Sequence, residues 1–177
     1  MKKVLLSFLF ILSFCLVSYG QIPKSYDTKY FTCYDYSSKL DSKSIYLYEK
    51  GNVERPFPLD RYGNISKWKE LFKYIAQIVK KEFPTIDDEM MASISKTHVT
   101  FNYDSNGKVL FYSIRLPKNV LDNYPEIEKP LFNVVSALKE HGVREYDLEF
   151  SDKSKPGEFG FILRSIFQVI NTEKKLR

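Results

Sequence analysis

Cysteine is scarce in this chain, with two residues in 177. One of them, Cys15, lies in the apolar stretch that begins the sequence, which leaves Cys33 by itself in the remainder. No intramolecular disulfide can form there, so the small secreted scaffolds stapled by several bridges are excluded. The two histidines, His98 and His141, stand far apart, and neither has a His or Cys neighbour at metal-ligand spacing. The sequence therefore offers no metal site and calls for no cofactor. There is no glycine-rich phosphate loop and no nucleophile elbow, and no residue is assigned a catalytic role. Internal repeats, low-complexity tracts and an interdomain linker are missing as well. The chain has no apolar run of the roughly 20 residues that a bilayer-crossing helix needs.

The first residues read as a secretory signal peptide. Lys2 and Lys3 precede an apolar run from Val4 to Val17, and Ser18 and Gly20 place small residues three and one positions before Gln21. The run is too short for a retained anchor. Lipidation at Cys15 is disfavoured because bulky Phe14 stands where a lipobox wants a small residue. Cleavage after Gly20 removes two lysines and no acid, taking the formal charge from +5 to +3, and leaves 157 of the 177 residues. That is one domain, residues 21–177, exported to the periplasm or the exterior and able to bury a core without covalent staples. Acidic residues interleave with the basic ones throughout, a pattern that does not point to nucleic acid. Cys33 is read as a small buried apolar residue rather than a reactive thiol.

Periodicity sets the expected elements. In residues 24–50, tyrosines alternate with polar residues, notably Tyr34 with Tyr36 and Tyr46 with Tyr48, and the spacing predicts short strands. Residues 51–64 carry two prolines and read as a loop. Ser66 offers an N-cap to a helix whose stripe is Trp68, Leu71, Phe72, Ile75, Ile78, Val79 and Phe83, ending before Pro84. Residues 85–95 suggest a short helical turn. A hairpin follows, Val99 to Tyr103 and Val109 to Leu116, with the second strand buried on nearly both sides and hence central. Pro130 fits the first turn of a second helix with Leu131, Val134, Val135 and Leu138 on one face and Gly142 as its stop. Residues 144–150 and 159–170 alternate enough to predict two strands of a closing hairpin, and the tail from Thr172 is expected to fray. The fold class expected is α+β, a two-layer sandwich with two helices on one face of a mainly antiparallel sheet.

Several motifs imitate chemistry. Asn102, Asp104, Asn106 and Gly107 match the opening of a calcium loop, but Ser113 stands where the bidentate acid belongs, and turn chemistry accounts for the same residues. Asp87, Asp88 and Glu89 are read as solvated acids rather than a catalytic pair. His141 is expected at a helix C-terminus and His98 at the entry to a strand. The sequon at Asn64 has meaning only along a eukaryotic export route, and the leader with Gln after the cut is similar to those of Bacteroidetes-type bacteria.

From Val99 to Phe150 the order of strand, Asp104–Gly107–Lys108–Val109 turn, strand, helix and strand resembles the TonB C-terminal domain, with a PepSY-type domain as a second possibility. The chain lacks that family's retained anchor and long proline-rich linker, so energy transduction is not carried over. What the resemblance implies is a non-catalytic domain that binds a protein partner by adding a strand to a sheet edge. Expected binding residues are Tyr34, Tyr36 and Tyr46, as rigid amphipathic anchors, and Leu148 on an edge strand. The alternative is a small secreted hydrolase whose site gathers His98, Cys33 or the acids at 87–89 into one pocket.

Overall fold

The computed structural model describes residues 24–35, 44–51, 64–65, 68–104, 106–142, 148–149 and 157–175. The leader, Tyr36 and Ser66 lie outside these residues. The fold is α+β. Its sheet has six strands: β1 Lys24–Asp27, β2 Phe31–Asp35, β3 Ser44–Glu49, β5 His98–Tyr103, β6 Val109–Pro117 and β8 Gly157–Ile162. They lie in the order β1-β2-β3-β6-β5-β8, every pairing antiparallel. Two further short strands, β4 Asn64–Ile65 and β7 Leu148–Glu149, pair only with each other.

Helix α1 spans Trp68–Glu82, α2 Asp88–Ile94, α3 Val120–Asn123, α4 Glu128–His141 and α5 Leu163–Lys175. The predicted stripes do become core: Leu71, Ile75 and Val79 of α1 and Leu131, Val134, Val135 and Leu138 of α4 are buried in one cluster with the strand residues Phe31, Cys33, Leu47, Val99, Phe101, Ile114 and Phe161. Phe72 is only partly buried and meets Phe159 edge-on, with ring centroids 6.1 Å apart. Cross-strand partners share a side of the sheet, and the row Cys33, Leu47, Ile114, Val99 and Phe161 is buried throughout. This is the inner face. α1 packs against both α4 and α5, and α4 also meets β6.

Three expectations fail here. Residues 159–170 are not one strand: β8 ends at Ile162 and α5 begins at Leu163. Leu163, Ile166, Phe167 and Ile170 are the buried residues that follow, at helical spacing. No glycine, proline or side-chain cap marks the change, because the first free N–H groups of the helix are met by backbone. Leu163 donates to the Thr97 carbonyl at 3.0 Å and Arg164 to that of Ser95 at 3.1 Å. The helix then continues to Lys175, through most of the tail expected to fray. Nor do residues 144–150 and 159–170 form a hairpin, since β7 pairs with β4 and β8 with β5.

The second hairpin strand is central as expected, but it is buried on one face. A bulge opposite Asn102 and Tyr103 slips the register, so Tyr103 pairs with Val109 and Asn102 with Phe111. One extra residue reverses the parity of everything before it. Val109 therefore joins Tyr112, Ile114 and Leu116 inside, while Leu110 is turned out to 44% exposure.

The turn residues serve the turn. Gly107 has φ +76°, and its N–H donates to the Asp104 carbonyl at 2.9 Å. The Asp104 carboxylate accepts from the N–H groups of Asn106 and Lys108 at 2.9 and 3.0 Å. The carboxylate that would open a calcium loop is thus engaged by backbone. Asp87, likewise, caps α2 by accepting from the Met90 N–H at 2.7 Å.

Candidate binding face

Opposite the helices the sheet presents a second set of residues. Register places Tyr34 beside Tyr46, Tyr46 beside Arg115, Arg115 beside His98, and His98 beside Ile162, one row across five strands. The next row holds Thr32, Tyr48, Ser113, Thr100 and Gly160. Most of these residues are half-buried, while Arg115, Gly160 and Ile162 are exposed. The aromatic end of the face is organised: the rings of Tyr34 and Tyr48 meet edge-on with centroids 5.4 Å apart at 84°. An edge-to-face pair of this kind holds its rings in place before any partner arrives.

At one end of this face, where β6 leaves the sheet, lies a groove of about 610 Å3. Its lining includes Ser44 from the head of β3, Lys96 ahead of β5, Arg115 of β6, and Lys118, Asn119 and Asp122 beyond it. Lys118 holds Asp35 of β2 at 2.6 Å. Asn119 precedes α3 without capping it. Arg115 belongs to both groove and face. The imidazole of His98, its cross-strand neighbour, is held below its ordinary range, first by burial and then by the Arg115 charge.

Of the four residues expected to bind, Tyr34 and Tyr46 are adjacent on the outer face, Tyr36 lies outside the described residues, and Leu148 sits in β7 opposite Ile65 rather than on an edge of the six-stranded sheet. The sequence reading missed Arg115, Lys96 and Lys118. Arg115 interrupts the polar side of an otherwise uncharged strand, a signal that was present and unused. Lys96 and Lys118 are brought to it by tertiary structure.

The groups a hydrolase would need are dispersed. Cys33 is on the inner face and fully buried, and burial pushes its thiol up to about 11, away from the thiolate that attacks. His98 is on the outer face. Asp87 is committed to its cap. His141, at the end of α4, stacks on Tyr74 with ring centroids 4.3 Å apart.

No protein-family model matches this chain, and no curated protein does. Among solved structures it is similar to a DUF5043 family protein from Bacteroides uniformis, with a TM-score of 0.51 and 13% identity over 81% of this chain and 91% of that one. At that identity the likeness shows the fold alone. Among the described residues no helix is long and apolar enough to cross a membrane.

Proposed function

We propose that this chain is a non-catalytic binding domain of the periplasm or the exterior, and that the outer face of its sheet is covered by a protein partner. The observation that carries the reading is the row Tyr34, Tyr46, Arg115 and His98, in which amphipathic rings lie beside a guanidinium on a rigid sheet. Tyrosine and arginine are the residue types enriched where partners bind, because each buries a large planar surface while keeping polar groups to pair. The TonB-like stretch adds a second mode, strand addition. β8 borders the six-stranded sheet and is the strand a partner would extend, in place of the one at Leu148.

The test is capture from periplasmic and outer-membrane extract by the wild-type protein and by Tyr34→Ala and Tyr46→Ala. The expected result is a specific band that both substitutions weaken while the folded far-ultraviolet spectrum is kept. A partner retained equally by all three proteins refutes the assignment of the face.

A further inference from the structure

The groove at the end of the outer face has a chemistry of its own. Lys96, Arg115 and Lys118 converge on it from three places in the chain, against the single carboxylate of Asp122 in the lining. Even with Asp35, which holds Lys118 at 2.6 Å, the formal balance is positive. Lys96 and Arg115 are both exposed. They are carried by rigid parts of the fold. Arg115 sits in the middle of the β3-β6-β5 ladder, and Lys96 lies in a link whose neighbours Ser95 and Thr97 accept backbone hydrogen bonds from the start of α5. Cations fixed in this way stay close together although they repel, and an anion that enters relieves the repulsion. The positive field extends along the sheet, since the Arg115 charge contributes to holding His98 neutral. A guanidinium takes a carboxylate through two parallel N–H donors, whereas an ammonium acts as a point charge. Ser44 and Asn119 add neutral hydrogen-bonding groups to the lining.

From this convergence we infer that the groove binds acidic side chains of a peptide segment, and that this segment belongs to the partner assigned to the outer face, a reading on which the inference rests. The volume lies in the range of ordinary ligand sites, about 300–1,000 Å3. Continuity with the face favours a peptide. A carboxylate paired with Arg115 stands next to Tyr46, and beyond it Tyr34, so neighbouring residues of an extended chain reach the rings without a turn. The recognition is of acidic residues flanked by aromatic or apolar ones.

The experiment is fluorescence polarisation of the purified protein with a labelled hexapeptide of alternating Glu and Tyr, beside its counterpart with Lys for Glu. The acidic peptide should bind at least about tenfold tighter, an advantage that shrinks at about 0.5 M salt as surface charges are screened. Arg115→Gln and Lys96→Gln should each weaken it about fivefold with an unchanged melting temperature, and Asp122→Asn should strengthen it. Equal binding of the two peptides, or binding indifferent to both groove substitutions, overturns the inference. So does polygalacturonate competing more strongly than the acidic peptide, which would make the site one for acidic glycans. Peptide binding lost in Tyr34→Ala and Tyr46→Ala but kept in the groove variants would sink the groove and leave the face standing. Loss in the groove variants alone would sink the face and leave the groove.

Discussion

Gly157→Ala should destabilise the protein, although alanine is normally the better-tolerated residue in a strand. Gly157 opens β8 opposite Tyr103 of β5, and a Cβ built on it would stand 2.6 Å from three atoms of the tyrosine side chain, Cε2, Cζ and Oη. Ordinary contact begins at 3.4 Å, so the ring would have to retreat by about 0.8 Å, the difference between the two distances. Tyr103 is fully buried, and a close-packed interior has little slack to give. Gly157 is not among the glycines with positive φ, so its backbone would accept alanine. Two effects then oppose each other. Restricting the unfolded chain stabilises by about 0.4–1 kcal/mol, and overpacking costs about 1–3 kcal/mol. The clash wins, with a net loss of about 1–2 kcal/mol. Urea unfolding followed by circular dichroism measures it, provided the slope is unchanged. In a Tyr103→Leu background the aromatic ring is gone, and Gly157→Ala should turn neutral or stabilising by up to about 1 kcal/mol. An equal cost in both backgrounds, or a gain in the wild-type protein, refutes the claim that this ring dictates the glycine.

Cys33 should react with a disulfide reagent at pH 8 far more slowly in the native protein than in urea, because burial keeps the thiol protonated with its titration raised to about 11; equal rates would place it at the surface. His98 titrates below its ordinary value of 6.5 in the folded protein, so the unfolded chain binds the proton more readily; stability should fall as pH drops below 6.5 through the folded value, and His98→Gln should remove that part of the slope in urea titrations. Leu138→Ala, at a site 3% exposed, should cost about 2–5 kcal/mol. Phe72→Ala should cost less than its ring size suggests, since Phe72 is only partly buried, and a Phe72 loss exceeding that at Leu138 would contradict this account of the core.

Much of the fold is legible in the sequence where one local period continues long enough to be unambiguous. The stripes at Leu71, Ile75 and Val79 and at Leu131, Val134, Val135 and Leu138 each commit a helix, because only one face of a 3.6-residue period can be apolar. Asp104 with Gly107 commits the turn, because a short side-chain acceptor and a residue free to take φ +76° leave the backbone few other arrangements. Gly142 does the same for the end of α4, with φ +72° and its N–H on the Leu138 carbonyl at 2.9 Å. The start of α5 was hidden because its stop and start signals are not local. The carbonyls that satisfy Leu163 and Arg164 belong to Thr97 and Ser95, more than sixty residues earlier, and no sequence pattern records such a pairing.

The candidate site divides along the same line. That Tyr34 and Tyr46 would lie on strands with half-exposed rings follows from alternation alone. That they stand side by side, with Arg115 next and His98 beyond it, depends on inter-strand register, and the order β2-β3-β6-β5 joins segments that are up to about eighty residues apart. Register is decided by which side chains the core accepts, since a slip of one residue would turn Leu47 and Ile114 out to solvent. The sequence by itself determined the strands, the helices and the kinds of residue available. Tertiary packing alone decided which of those residues share a face, and it drew Lys96, Arg115 and Lys118 into one groove.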